Sequence, residues 1–329
     1  MDRKPEFVGA QQVDEAMSPN TRPHRPRPSA GVLPRPPDDL LGVHASIAGG
    51  LYRALERGAE LGCSAVQIFL KNQRQWAAPS LTQADVSAFR AAWRRSRIRS
   101  VFAHASYLIN LATPGAAQWA QAVTAFTDEL ERAEALGLAC VVIHPGSHAG
   151  EGTEAGLARV TAALDEVTRR TAGYRVRIAL ENTAGAGHTL GRTFRELAAL
   201  LDRAARPARV GICIDTCHLF ASGYDLRRDT GWDDALAECL ECVGRRRVLA
   251  FHVNDSRAPL GSGLDRHEHI GRGALGLRPF RRLLTDPRFA RVPKVLETPK
   301  EPEPIADRRN LATLRRLRRL GVPDPLRQR

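Results

Sequence analysis

Arg177-Ile-Ala-Leu-Glu181 and Val210-Gly-Ile-Cys-Ile-Asp215, with a helix expected to begin near Thr193 between them, decide the fold. Each is a short apolar run of strand length that ends in a carboxylate. A helical crossover between two strands brings them together in parallel. The same alternation recurs on either side. Further strand-like runs occupy residues 41–44, 65–70, 100–104, 140–144, 248–252 and 294–297. Val123, Phe126, Leu130 and Ala133 share one helical face ahead of Gly137, a natural C-cap. Leu157, Val160, Leu164 and Val167 do the same after Thr153, read as an N-cap. More helices are expected near Asp233, Leu277 and Ile305. Eight strand–helix units predict an α/β fold, a single-domain (β/α)8 TIM barrel over residues 39–323. A doubly wound open sheet would usually carry a Gly-rich phosphate turn after its first strand, and Gly49-Gly50 matches that fingerprint poorly.

Residues 1–38 stand apart. Their prolines and polar side chains offer few apolar anchors to offset ordering entropy, so a disordered tail is expected there, with a short C-terminal tail at 324–329. No apolar run is long enough to span a membrane, and the N-terminus lacks a secretory signal core, so a cytoplasmic protein is expected. The formal charge is +13, and the six basic and four acidic residues of 1–37 account for little of it. The excess on the barrel, almost all arginine, favours a polyanionic partner, since released counterions reward phosphate contacts. Of six cysteines, Cys239 and Cys242 have CxxC spacing but no second pair. Cys63, Cys140 and Cys213 lie in or beside apolar runs, where reduced thiols act as small hydrophobes.

The informative feature is what ends the strands. His44, His104, His144, Glu181, Asp215, His252 and Glu297 stand at or near the C-terminal ends of apolar runs. In a closed parallel barrel those ends converge on one face, where active sites lie. Imidazoles and carboxylates gathered there are costly to bury without partners, and a metal supplies the partner. In Asp215-Thr-Cys-His218 the histidine follows the strand end by one helical turn. In Asp265-Arg-His267 an extended backbone puts the outer two side chains on one side. Setting His44 aside, nine candidate ligands result, five of them imidazoles. One zinc takes about four ligands, so nine suggest two or three ions. Nitrogen and oxygen donors without thiolate suit zinc or manganese, and such multi-metal sites suit phosphoryl hydrolysis.

With these residues in view, the sequence resembles the endonuclease IV family of AP endonucleases. The matching strings are Gly42-Val-His-Ala-Ser46, Lys71-Asn-Gln-Arg-Gln-Trp76, His104-Ala-Ser-Tyr-Leu-Ile-Asn110 and His144-Pro-Gly-Ser-His148. They continue through Glu181-Asn-Thr-Ala-Gly185, Asp215-Thr-Cys-His218, His252-Val-Asn-Asp-Ser256, Asp265-Arg-His-Glu-His-Ile-Gly271 and Leu296-Glu-Thr-Pro299, in the family's order. The resemblance implies three Zn2+ per chain, with Mn2+ an option at one site. By its pattern His104 and His144 hold one ion, which Glu181 bridges to a second completed by Asp215, His252 and Glu297. His218, Asp265 and His267 hold a third, more exposed ion.

The implied reaction is hydrolysis of the DNA phosphodiester 5′ to an abasic site, leaving a 3′-hydroxyl and a 5′-deoxyribose phosphate. Trimming of blocked 3′ ends accompanies it. Glu297 and Glu181 are the implied catalytic carboxylates, Glu297 orienting the attacking hydroxide. Arg74, Tyr107 and Leu108 would enter the DNA, while His148, Asn182 and Asn254 would orient ligands. The implied partner is double-stranded DNA bearing abasic sites or blocked 3′ ends, met by a monomeric protein at the nucleoid.

Two rival readings remain. A metal-dependent sugar isomerase or epimerase can use the same barrel, but it leaves His218 and Asp265-Arg-His267 without a task. A non-catalytic, basic DNA-binding scaffold on a decayed barrel should have lost at least one ligand, and none of the nine is missing.

Overall fold

The computed structural model describes residues 40–321, so the expected tails at 1–38 and 324–329 lie outside the described residues. The chain runs β1 (Leu41–His44), α1 (Leu51–Glu60), β2 (Ala65–Phe69), α2 (Gln83–Arg95), β3 (Ser100–His104) and α3 (Ala116–Leu136). It continues through β4 (Cys140–Ile143), α4 (Thr153–Arg170), β5 (Arg177–Glu181), α5 (Phe194–Arg203), β6 (Val210–Asp215), α6 (Thr216–Ser222) and α7 (Asp229–Cys242). After β7 (Val248–His252) a two-stranded excursion, β8 (Asp255–Ser256) and β9 (His267–Glu268), precedes α8 (Arg278–Thr285), β10 (Lys294–Leu296) and α9 (Ile305–Gly321). Eight strands close in the order β1-β10-β7-β6-β5-β4-β3-β2, every pair parallel, which is the expected TIM barrel.

Strand alternation explains both the core and the site. Ala65, Phe102, Val142, Ala179, Cys213, Ala250 and Val295 form one buried cluster inside the ring of strands. Two residues further along, on the same face of the pleat, come Gln67, His104, His144, Glu181, Asp215, His252 and Glu297. The barrel is thus plugged by apolar side chains below and lined by polar ones at its C-terminal mouth. Gly42 takes the corresponding inner position on β1, ahead of His44. A Cβ there would lie 1.6 Å from the Ala65 carbonyl oxygen, so only glycine fits between β1 and β2.

The outer layer buries the helical faces read from the sequence. Val123, Phe126, Leu130, Val160, Leu164 and Val167 are all fully buried, each worth roughly 1.5–3 kcal/mol of transfer free energy. Gly137 closes α3 in the left-handed region at φ 81°. Thr193 caps α5, its side chain accepting from the Glu196 N–H. Thr153 does not cap α4. It is the first helical residue, and Gly152 takes the cap position at φ 95° while the ring of His148 accepts the Gly152 N–H. All six cysteines are free thiols, and burial pushes those of Cys140, Cys213 and Cys239 up to about 12. Among the described residues, no helix is long and apolar enough to cross a membrane.

Helix α3 also buries charge. Glu129 is 1% exposed, its Oε2 has no hydrogen-bond partner, and burial raises its pKa to about 7 against the pull of Lys71. A carboxyl whose folded pKa lies above its unfolded one contributes stability that is complete below the unfolded pKa and is lost as pH rises through the folded value. Glu129→Gln should therefore melt close to wild type near pH 5. It should gain on wild type through pH 7, by up to roughly 3 kcal/mol at pH 8.5. Parallel melting-temperature profiles for the two proteins would contradict this account.

Candidate metal centre

Glu181 ends β5 at the centre of the mouth and is fully buried. Its Oε2 lies 3.1 Å from His104 Nε2 and 3.0 Å from His144 Nε2, and its Oε1 lies 2.8 Å from His252 Nδ1 and 3.3 Å from His218 Nδ1. Glu297 Oε2 approaches His252 Nδ1 at 3.2 Å from the other side. Asp215 Oδ2 is 3.9 Å from the same nitrogen and 3.5 Å from His267 Nε2. Asp265 reaches His218 Nε2 at 3.2 Å and His267 Nε2 at 3.3 Å. Ligand atoms within 4.8 Å of one another fall into overlapping sets: His104, His144 and Glu181; Glu181, Asp215, His252 and Glu297; Asp215, His218 and His267; and Cys217, Asp265 and His267. All nine side chains singled out in the sequence therefore meet at this mouth. Cys217, which the sequence reading passed over, joins the rim of the last set, but burial pushes its thiol up to about 12.

The ring tautomers decide what these distances mean. A carbonyl oxygen only accepts, so a ring nitrogen facing one carries the hydrogen. His104 Nδ1 donates to the Ala105 carbonyl, His218 Nδ1 to that of Asn182 and His267 Nδ1 to that of Glu297. Gln67 fixes His252 by a further step. Its amide nitrogen donates to Glu297 Oε1 at 2.5 Å, which turns its oxygen to accept from His252 Nε2 at 2.7 Å. In the neutral rings the other nitrogen presents a lone pair inward, towards carboxylates that also offer lone pairs. His218 Nε2 and His267 Nε2 are buried without a hydrogen bond, although Asp265 oxygens lie within 3.3 Å of both. Lone pairs facing lone pairs at such distances repel unless a cation lies between them. The donor set therefore fits divalent metal, with each histidine anchored through its far nitrogen.

Protons compete for the same lone pairs. Burial opposes charge on His218, but Asp215, Asp265 and Glu181 lift its pKa well above the ordinary imidazole value. His252 is raised likewise, against burial, by Cys213, Glu181 and Glu297. Burial works against ionisation of Glu181 too, yet His252, His144 and His104 hold it well below the usual carboxylate range.

The expected orienting residues divide. Asn182 clamps the end of β6, donating to the Asp215 carbonyl and accepting the Asp215 N–H. Asn254 donates to Asp215 Oδ2 at 2.6 Å and accepts the Glu297 N–H at 2.8 Å, so it sets two carboxylates at once. Asp215 in turn caps α6 by accepting the His218 N–H, which ties two candidate ligands into one turn. His148 is placed differently: its hydrogen bond goes to Gly152 and its ring packs on His188. His44, set aside in the sequence, stands here with Gln67. Its Nδ1 lies 2.8 Å from Gln67 Nε2 and 3.1 Å from Glu297 Oε1, and burial lowers its pKa. Gln67 lies inside a strand run, so no strand-end signal marks it; the alternation of inner positions along β2 would have.

Two loops rise beside the mouth. Arg74 and Trp76 are exposed on the β2–α2 loop, and Tyr107 and Leu108 on the loop after β3, with Tyr107 63% exposed. The Tyr107 ring sits 5.5 Å from that of His104, so an aromatic face borders the ligand cluster.

Residues 55–319 match the model of the xylose isomerase-like TIM barrel family. The probable endonuclease 4 of Trichlorobacter lovleyi is 46% identical over 279 residues, spanning 85% of this chain and 99% of that protein. The chain belongs to the endonuclease IV family. The crystal structure of endonuclease IV from Thermus thermophilus superposes with a TM-score of 0.76 at 38% identity, over 84% of this chain and 98% of that one. Outside the endonuclease IV family, a D-tagatose 3-epimerase-like protein shares the barrel with a TM-score of 0.66 at 17% identity, over 85% of this chain and 98% of that one. That likeness is of fold alone, so the functional reading must come from the site.

Proposed function

We propose that this protein is a zinc-dependent AP endonuclease of base excision repair. It hydrolyses the phosphodiester 5′ to an abasic site, leaving a 3′-hydroxyl and a 5′-deoxyribose phosphate, and trims blocked 3′ ends. The observation that carries the reading is the convergence of inward lone pairs from four anchored imidazoles and four carboxylates at one barrel mouth. His104, His144 and Glu181 would hold one ion, Glu181, Asp215, His252 and Glu297 a second, and His218, Asp265 and His267 a third. The last set takes Asp265 because one oxygen faces each of its two histidines. Imidazole-rich donors favour zinc, with manganese an option at one site.

Bound divalent ions supply water activation at neutral pH and neutralise phosphate charge. The chain's own residues do the rest. Glu297, held ionised well below the usual range despite its burial, can accept a proton at Oε2 and so orient an attacking water. Glu181 keeps the ligand set in register by facing four rings. Tyr107, Leu108 and Arg74 offer exposed aromatic, apolar and cationic surface to the gap left by a missing base, whose sugar swings out cheaply because no base is stacked. The +13 charge supports a DNA partner. A monomer acting on chromosomal DNA in the cytoplasm fits this reading. The epimerase alternative has no use for Asp265, His267 or the exposed loops.

The test is a labelled duplex with one tetrahydrofuran abasic analogue, incubated without added magnesium. Because that analogue cannot undergo β-elimination, a cut on its 5′ side leaving an extendable 3′-hydroxyl supports hydrolysis. No cut at full zinc occupancy would turn the reading to a small-molecule substrate. Asp265→Ala and His267→Ala should each lower the metal content by about one ion per chain. An unchanged count in either variant would remove the third site.

A further inference from the structure

We propose that a largely buried ion cluster on α3, formed by Glu129, Arg132 and a half-exposed Asp128 with Lys71, clamps the two mouth loops to one helix and so positions Arg74 against Tyr107 and Leu108. The proposal rests on reading those three residues as DNA contacts.

Lys71 opens the first loop and is almost fully buried. Its ammonium donates to Asp128 at 2.8 Å and to the Trp76 carbonyl at 3.1 Å, and lies 3.7 Å from Glu129. The loop is thereby folded back on its own start. Arg132, one helical turn after Asp128, donates through Nε to both Asp128 oxygens and through Nη2 to the Ala78 and Pro79 carbonyls at 3.1 and 3.0 Å. That fixes the far end of the same loop. The second loop is tied to the same place: the Ser106 N–H points at Glu129 Oε1, and the Ser106 hydroxyl donates to the Gln73 carbonyl at 2.7 Å. Helix α3 thus holds the loop of Arg74 at both ends and the loop of Tyr107 at its root, while the side chains that would meet DNA point outward and are exposed.

Burying Lys71, Arg132 and Glu129 beside a half-exposed Asp128 is a poor way to stabilise a helix packing, since desolvation offsets most of the attraction. The same groups are well suited to holding irregular backbone, because a guanidinium can satisfy two carbonyls and a carboxylate together. None of the four touches the ligand cluster in the contacts above, so the clamp acts through loop position and is separable from the chemistry at the mouth.

The experiment compares wild type with Arg132→Lys, which keeps the charge but cannot span Asp128 and both carbonyls, and with Arg132→Met. The first readout is trypsin cleavage after Arg74, followed by mass spectrometry of the zinc-loaded full chain. Loss of these charged hydrogen bonds should raise the initial cleavage rate about tenfold. The second readout sets incision of the tetrahydrofuran duplex against hydrolysis of bis(p-nitrophenyl) phosphate, which is too small to need the loops. Duplex kcat/KM should fall roughly 10- to 100-fold, mainly through KM, with metal content and small-ester hydrolysis unchanged. Arg132→Lys should retain more duplex activity than Arg132→Met. An unchanged cleavage rate after Arg74 overturns the clamp whatever the substrate proves to be. Equal losses on duplex and small ester overturn it too, by showing a general structural defect. Faster cleavage in the variants, with a wild type that cuts no abasic duplex, would uphold the loop anchoring but overturn the function assigned to it.

Discussion

Glu181→Gln should abolish incision, lowering kcat by about 10⁴-fold or more, and should strip the protein of most of its metal. The expectation follows from geometry, since both Glu181 oxygens are engaged, each with two imidazoles between 2.8 and 3.3 Å away. A glutamine has the same shape but brings one oxygen and one amide donor. Whichever way it turns, its NH2 group meets two ring nitrogens on one side. It can donate to the lone pair of His104 Nε2 or of His252 Nδ1, occupying a position that would hold a cation, while on the Oε1 side it also sets its hydrogens against the Nδ1–H that His218 donates to the Asn182 carbonyl. The bridging charge is lost at the same time. Two of the three proposed ions share this carboxylate, so the metal content should fall from about three per chain towards one, the ion held by His218, Asp265 and His267. Metal analysis and a tetrahydrofuran-duplex assay on one preparation test both parts. A variant that keeps three ions and loses only rate would confine Glu181 to a charge-stabilising role. One that keeps rate would remove it from the site.

How far the sequence could lead is seen by comparing particular residues. His104, Glu181, Asp215, His252 and Glu297 were legible because each ends an apolar run, and parallel closure brings such ends to one face. His218 and Asp265 were legible because local geometry ties each to a neighbour: one turn from Asp215, and two extended residues from His267. Gln67 was not legible, because its importance depends on register. It pairs with His44 across β1 and β2, and it meets Glu297 and His252 only because β10 closes the ring between β1 and β7. His44 was set aside, although from strand position alone it is equivalent to His104. Thr153 misled because a threonine before an apolar face reads as a cap, whereas the positive φ of Gly152 starts the helix one residue earlier. His148 was expected, from the resemblance, to orient ligands. The loop turns it onto Gly152, where it helps to begin α4.

Glu297→Gln should leave the fold and DNA binding largely intact while lowering kcat by about 10²- to 10³-fold and weakening the ion proposed to sit among Glu181, Asp215, His252 and Glu297. Its environment forces one amide orientation. Oε1 receives the Gln67 amide, a donor, so the glutamine oxygen must stay there; the opposite rotamer would set one NH2 against another. The new NH2 therefore takes the place of Oε2, facing His252 Nδ1. There it can donate to the ring and leaves no buried group unsatisfied, which is why folding should tolerate it. What disappears is the acceptor on that side, the atom proposed to take a proton from the attacking water. The Asn254 hydrogen bond to the backbone N–H of residue 297 is untouched, and so are Arg74, Tyr107 and Leu108. Affinity for the abasic duplex should thus stay within about threefold of wild type, because the loops that grip DNA keep their positions. Single-turnover rates beside equilibrium binding separate the two quantities. Wild-type-like turnover would take Glu297 out of the chemistry. Equal losses in rate and affinity would make its role structural instead of chemical.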